Sequence, residues 1–297
     1  MSIKHNLQNV VAHLCPRLLV TYWYWRISGH LLNWRNPKDI NEKIQWLKFN
    51  SSTNLWSIYS DKLRVRDHIK ELGLSDMLVP LYGSWEKAED INWKKLPNQF
   101  VMKTNHGSGD VLICKDKSTL DTEAATKYFA KKLKERFGLE HAEPHYDKIS
   151  PCIIAEQLLD ASKQNTSSCS LIDYKIWAFN GKPAYILVCA DRRAESLSIG
   201  VYDLNWNFHP EYTKKAQHCI PMATPIPRPK SLDRMIEAAA LLSTGFAELR
   251  VDFYDIDGHP YFGEMTFSSA MGLHDYYTED FLKKLGDLTI LTPKECK

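Results

Sequence analysis

The sequence predicts an α+β fold in which strands and helices mix without regular βαβ alternation. Three observations carry that expectation. Asn180-Gly181 and Asp257-Gly258 each separate two apolar runs, and such dipeptides supply the positive φ angles of tight hairpin turns. Capped helical patterns cluster before Gly73 and recur at Asp121–Phe137 and from Ser231 to about Ser243. No GxGxxG turn of the dinucleotide-binding type joins a strand to a helix.

In chain order, residues 1–60 read as helical, with Asp39 or Asn41 placed to cap Glu42–Phe49. Ser60 or Asp61 then caps a helix from Lys62 to Leu72, which Gly73 stops. Val79–Gly83 is short and apolar, and Pro97 closes a connector. The character changes at Phe100. Phe100–Lys103 and Val111–Cys114 are strand-like around a turn-rich stretch, Thr104 to Asp110. A lysine-rich helix is expected over Asp121–Phe137, then a strand at Cys152–Glu156 and a polar loop from about Asp160 to Ile172. The hairpin Tyr174–Phe179/Tyr185–Cys189 follows, then a strand at Ser198–Tyr202 and a proline-rich loop, Pro221–Pro229. A helix from Ser231 leads to the last hairpin, Ala247–Tyr254 with Pro260–Phe267. Four segments are expected: a helical 1–60, a connector 61–99, a small lobe 100–155 and a large lobe 156–297.

The 297 residues suffice for two or three packed lobes. With 44% hydrophobic and 25% charged residues the composition is that of a globular chain, and a net charge of +2 gives no reason to expect nucleic acid as a partner. Seven scattered cysteines without a CxxC pair indicate neither a zinc ribbon nor a disulfide framework, and they fit the cytoplasm. The apolar residues from Val10 to Leu32 are broken by His13, Pro16, Arg17, Arg26 and His30, so neither a signal peptide nor a membrane span is expected. Lys4, Arg17, Arg26, Arg35, Lys38, Lys43 and Lys48 make the first fifty residues basic, with Tyr22, Trp23, Tyr24 and Trp25 among them. Two readings stand: a helix packed on the rest of the protein, or peripheral contact with the inner face of a membrane.

Three constellations carry chemistry. The first is Lys103 followed by His106, Gly107, Ser108, Gly109 and Asp110. A lysine at a strand end and a glycine hairpin suit a polyphosphate, since glycines let backbone N–H groups approach oxygens. A glycine turn with no ligand explains it equally well. The second is Arg250, Asp252, Glu264 and Thr266 on neighbouring strands, where carboxylates on one face can share a divalent ion. Charges pointing to water are the alternative. The third is Glu156, Gln157, Leu158 and Leu159, a strand end that can offer backbone groups to a purine edge or simply end a strand. Asp173 could bond a ribose, as could any surface aspartate. His141 and His145 are separated by Pro144 and do not form a helical metal pair. No GxSxG or HExxH occurs.

From about residue 36 to the C-terminus the chain resembles the TupA-like branch of the ATP-grasp superfamily. The resemblance rests on Asn41–Leu47, Ser60–Arg66, Leu96–Lys103, Asn105–Gly109, Ile153–Glu156, Asp173–Lys182, Tyr202–Trp206 and Gly263–Phe267, in that order. It implies two α+β lobes clasping ATP. It also implies that Lys62 and Lys103 hold the ATP phosphates under a loop of His106, Gly107, Ser108 and Gly109. Glu156, Gln157, Leu158 and Leu159 would form the adenine hinge, with Asp173 at the ribose and Lys175 in the same site. Asp252, Glu264 and Thr266 would bind Mg2+, with Arg250 catalytic beside the acyl phosphate. Many ATP-grasp ligases carry Asn where Thr266 stands, and threonine there matches the TupA-like branch.

The function so implied is an ATP- and Mg-dependent carboxylate–amine ligase of surface polysaccharide biosynthesis. It would join an amino acid or other amine to a uronic acid or similar carboxylate of a glycan or its precursor. Arg192 and Arg193 are candidates for holding an anionic acceptor, or are simple surface arginines. The rivals are a glycosyltransferase using a sugar nucleotide, an ATP-grasp kinase, and a non-catalytic nucleotide-binding module.

Overall fold

The computed structural model describes residues 14–291, and Lys4, Val10, His13 and Cys296 lie outside them. Its helices are α1 (Pro16–Ser28), α2 (Ile40–Asn50), α3 (Asn54–Tyr59), α4 (Val65–Glu71), α5 (Thr122–Lys132), α6 (Phe137–Glu140), α7 (Leu232–Leu242) and α8 (Glu279–Leu288). Its strands are β1 (Leu81–Trp85), β2 (Phe100–Thr104), β3 (Val111–Cys114), β4 (Ile153–Glu156), β5 (Asp173–Phe179), β6 (Lys182–Ala190), β7 (Leu197–Asp203), β8 (Cys219–Pro221), β9 (Leu249–Ile256) and β10 (His259–Thr266). Two compact units result: Thr53–Leu159, and Met1–Ser52 with Asp160–Lys297. The four segments read from the sequence follow motif order; the compact units instead join the N-terminal helices to the C-terminal half.

In the Thr53–Leu159 unit an antiparallel sheet runs in the order β1-β4-β2-β3. Phe100, Met102, Ile153 and Ala155 pack one face of it against Phe129 of α5. That alternation leaves Val101 and Lys103 on the opposite face, which is less buried. Helix α5 has Asp121 as its N-cap, accepting from the Ala124 amide, but ends at Lys132 rather than Phe137. No glycine or proline announces that end in the sequence. The chain turns where Lys132 pairs with both Asp110 and Glu135, at 2.9 and 2.8 Å. The helix expected over Lys62–Leu72 starts at Val65. Asp61 Oδ1 accepts from the amides of Leu63 and Arg64, holding residues 62–64 as a turn before the helix proper.

In the other unit a sheet runs β10-β9-β5-β6-β7-β8, antiparallel except for the β7–β8 pair. Both expected hairpins form: Asn180 and Gly181 have φ of 47° and 81°, and Asp257 and Gly258 have 56° and 77°. Trp177, Phe179, Leu187, Cys189, Ile199 and Val201 share a core with Ile40 and Ile44 of α2 and Phe281 and Leu285 of α8. The alternate residues Ile176, Ala178, Ile186 and Val188 are also buried, and α7 packs on β5, β6, β9 and β10. Helix α2 is capped by Asp39, whose side chain accepts from the Glu42 amide, one of the two caps expected. Lys43 donates to the Gly286 and Thr289 carbonyls at the end of α8, at 2.7 and 2.8 Å. This satisfies acceptors that a helix terminus leaves open.

Candidate active site

The Thr53–Leu159 unit holds a cationic cluster around one buried carboxylate. Strand register puts Lys103 opposite Ile154 and Val101 opposite Glu156, so Lys103 and Glu156 are diagonal neighbours on one face. Lys103 Nζ lies 2.7 Å from Glu156 Oε2, and Arg66 NH1 lies 3.0 Å from Oε1. Arg66 also donates to the Val79 carbonyl at 2.9 Å. The carboxylate that opens the expected hinge therefore orients two cations. The Gln157 amide donates to the Pro80 carbonyl at 2.9 Å, so that hinge N–H has a partner; Gln157 is exposed, Leu158 half-buried and Leu159 buried.

The loop after β2 is pinned at its root. Asn105 is buried, donates to Asp61 Oδ1 and the Ser150 carbonyl, and accepts from the Cys152 amide. Lys62 Nζ donates to the Gly107 carbonyl at 2.5 Å, binding the expected phosphate lysine to the expected phosphate loop. His106 and Gly107 are buried whereas Ser108 and Gly109 form the exposed tip, where Gly109 has φ of 85°. Burial holds the His106 imidazole below its ordinary pKa, against the raising effect of the Glu135 backbone and Asp110. His106 is thus a neutral anchor, and the backbone at Ser108–Gly109 is what the loop presents outward.

The second unit holds an acidic and basic network on one face of β5, β9 and β10. Register pairs Lys175 with Asp252, and Asp252 with Glu264. A bulge at Gly263 sets the second pairing. A Cβ at Gly263 would come within 3.0 Å of the Asp252 carbonyl oxygen, so only glycine fits this approach without a shift. Arg250 grips Asp252 with two donors, Nε to Oδ1 at 2.8 Å and NH2 to Oδ2 at 2.9 Å. Lys175 bonds the same Asp252 Oδ2 and lies 3.4 Å from Asp173. Arg250 NH2 reaches Glu264 Oε1 at 3.4 Å and Thr266 Oγ1 at 3.2 Å, and Thr266 donates to Glu264 at 3.2 Å.

Burial alone would pull Lys175 down, but the carboxylates of Asp173 and Asp252 outweigh it and hold the ammonium above its ordinary pKa. Arg250 is likewise raised, with Asp252 overcoming burial. Burial pushes Asp252 up while Arg250 and Lys175 pull against it. Asp173 takes Arg192 at 3.1 Å, and its charge drives the Tyr254 hydroxyl well above the usual range. Arg193 is exposed in the turn after β6, so of the two candidate acceptor arginines only Arg192 joins this network.

Asp252, Glu264 and Thr266 offer hard oxygen donors. Among the described residues no group of three or more His, Cys, Asp or Glu side chains forms a ready-made metal cage. Magnesium takes hard oxygen ligands and can be held through one or two carboxylates, its octahedron completed by water and phosphate oxygens. The donor set therefore fits the ion that the resemblance implies.

A family model described as TupA-like ATPgrasp matches residues 42–290. The chain belongs to the TupA-like ATP-grasp family. Its α+β fold is the ATP-grasp fold expected from the sequence. No curated protein matches the chain. Among solved structures, D-alanine–D-alanine ligase from Bacillus anthracis is 19% identical over 81% of this chain and 68% of its own, with a TM-score of 0.44. The corresponding ligase from Helicobacter pylori is 12% identical over 85% and 69%, with a TM-score of 0.41. The ATP-grasp ligase PsnB, complexed with a minimal precursor, is 12% identical over 74% and 55%, with a TM-score of 0.38.

Around these residues the structure adds others that carried no role in the sequence. Arg66 is one. A second group braces Arg250: its NH1 bonds Ser269 Oγ, which lies 3.0 Å from His274 Nε2, while His274 Nδ1 lies 2.7 Å from Asn41 Oδ1. Ala270, Met271 and Gly272 all have positive φ, at 48°, 60° and 73°. Gln45 and Lys48 hold this strained turn by donating to the Met271 carbonyl, at 2.8 and 3.1 Å. Burial lowers His274 to about 3, with Arg250 adding to the effect, so the ring is neutral. The motif Asn41–Leu47 was visible; its use as a buttress was not, because the partners lie more than two hundred residues away.

Proposed function

We propose that this chain is an ATP- and Mg-dependent carboxylate–amine ligase acting through an acyl phosphate. One observation supports it above the rest: Arg250, Asp252, Glu264 and Thr266 converge on one face of the β9–β10 hairpin. Lys62 and Lys103 supply positive charge to the phosphates, together with the backbone of Ser108 and Gly109. Glu156 fixes where Lys103 stands, while Gln157, Leu158 and Leu159 bound the adenine and Asp173 and Lys175 the ribose side. Bound magnesium, held by Asp252, Glu264 and Thr266, would neutralise phosphate charge.

A substrate carboxylate oxygen attacks the γ-phosphorus; the new P–O bond forms as the bridging P–O bond breaks, and ADP leaves. Arg250 would balance charge on the transferring group. A neutral amine then attacks the acyl carbon, forming a C–N bond and releasing phosphate, and the amine loses a proton. Excluding water at this stage protects the acyl phosphate from hydrolysis. The carboxylate is proposed to be a uronic acid or similar group of a surface polysaccharide or its precursor, and the amine an amino acid. Arg192 is the residue suited to an anionic acceptor. The reaction is assigned to the cytoplasm, where ATP is supplied.

The test is ADP formation with uronate and amino acid pairs, followed by mass analysis of the product. Condensation with loss of water supports the ligase. Accumulation of a phosphorylated acceptor makes the protein a kinase, and no ADP with any pair removes the reading.

A further inference from the structure

Helix α1 is apolar on two faces. Leu19, Val20 and Tyr24 are buried against the protein, and three anchors fix this packing. Arg17 donates to the Phe49 carbonyl and to Asn50 Oδ1, at 3.1 and 2.8 Å; the Tyr24 hydroxyl donates to Asp39 at 2.9 Å; and the Trp34 indole donates to Thr21 at 3.0 Å. The opposite face carries Leu18, Tyr22 and Trp25, which at 100° per residue fall within about 60° of arc. They are 67%, 52% and 47% exposed, and Leu14 and Leu31 at the two ends are each 70% exposed. Scattered exposed leucines need no explanation, but an aligned aromatic and aliphatic stripe on an anchored helix does.

Charge decides what covers it. From Leu14 to Lys38 the chain has no aspartate or glutamate, whereas it carries Arg17, Arg26, Arg35 and Lys38. Arg26, Arg35 and Lys38 are exposed. A partner protein with an ordinary mixed surface would leave that one-sided charge unanswered; an anionic bilayer answers it and accepts the apolar stripe as well. Tyr22 and Trp25, with ring centroids 6.2 Å apart, are the residue types that favour the interface between headgroups and acyl chains. A helix of 13 residues is roughly 20 Å long, and no described helix is long and apolar enough to cross a membrane. A helix of this length with a one-sided apolar stripe would lie along a bilayer surface and not cross it.

We propose that the outer face of α1 is a docking surface for an anionic phospholipid membrane. This does not depend on the ligase reading. It would bring the chain to the place where lipid-linked acceptors are found.

The full chain is mixed with vesicles of phosphatidylglycerol and phosphatidylcholine, and separately with phosphatidylcholine alone, and the bound fraction is measured by sedimentation. Binding to the anionic vesicles is expected, weakening between about 0.1 M and about 1 M salt as the screening length falls from about 10 Å to about 3 Å. Replacing Leu18, Tyr22 and Trp25 together by serine is expected to reduce partitioning by about tenfold or more, with the melting temperature retained because these side chains are exposed. Should that variant fail to fold, quenching by brominated lipid in the parent chain, lost in Trp25→Phe, reads the same contact. Equal affinity for both vesicle types, unchanged binding by the serine variant, or a dimer that the variant dissolves without any vesicle binding would each overturn the proposal.

Discussion

Asp252 and Glu264 stand opposite one another but do different physical work. Asp252 is buried and neutralises two buried cations, Arg250 and Lys175; the Glu264 side chain is 37% exposed, accepts from Thr266 and lies 3.4 Å from Arg250. Replacing Glu264 by Gln keeps shape and removes only charge, so the melting temperature should stay nearly unchanged while ADP formation falls by about 100-fold or more. Asp252→Asn takes from both buried cations the carboxylate that holds them most closely and should cost roughly 3–5 kcal/mol of stability as well as activity. Equal effects of both substitutions on stability would show that the hairpin carboxylates share one structural role. His274 gives a pH signature. Its folded pKa is about 3 against 6.5 for the free side chain. Between those values the unfolded chain takes up a proton that the folded chain does not. Its contribution to stability is thus complete above about pH 6.5 and is lost as pH falls towards about 3, by up to about 1.4 kcal/mol per pH unit. Denaturant titrations of the parent and His274→Asn across this window should converge as the pH drops; parallel curves would show that the ring does not titrate there.

At the scale of elements, β9 and β10 depend on the bulge that Gly263 permits. Gly263→Val places a branched side chain against the Asp252 carbonyl oxygen, which a glycine Cβ position already approaches to 3.0 Å. The hairpin must shift, at a cost of about 1–3 kcal/mol. Because the same shift moves Glu264 off Asp252, ADP formation should fall further than stability; a variant that melts early yet turns over normally would separate the bulge from the site. The hairpins themselves were legible in the sequence, since Asn180-Gly181 and Asp257-Gly258 encode their turns in the two residues that make them. The candidate carboxylates were legible for the same reason: strand alternation alone puts Asp252 with Arg250, and Glu264 with Thr266. The end of α5 was not, because no glycine or proline marks it and the Asp110 that pairs with Lys132 there comes from the loop before β3. Arg66 and the Asn41–His274–Ser269 chain escaped for that reason too. A local signal shows what a segment prefers, whereas an ion pair between residues 66 and 156 exists only after β4 and α4 have been brought together.

For the whole molecule, the two compact units each carry a core of their own, one around Phe100, Phe129 and Ile153, the other around Trp177, Phe281 and Leu285. Domains with separate cores can unfold separately, so thermal unfolding need not be a single transition. The residues assigned to the nucleotide are split in the same way: Lys62, Lys103 and the Ser108–Gly109 loop in one unit, Asp173, Lys175, Asp252 and Glu264 in the other. Linkage turns this division into a measurement. A ligand present at about 100 times its Kd stabilises the state it binds by about 2.7 kcal/mol. A nucleotide that takes contacts from both sets raises the melting of both units, whereas one held by a single set raises only its own. Differential scanning calorimetry with a non-hydrolysable ATP analogue and magnesium should therefore show every transition move upward. The gain should shrink without the metal and in Glu264→Gln, and a UDP-sugar should give none. If only the Thr53–Leu159 transition moved, the carboxylates of β9 and β10 would have no part in binding, and the ligase chemistry assigned to them would fail with that result.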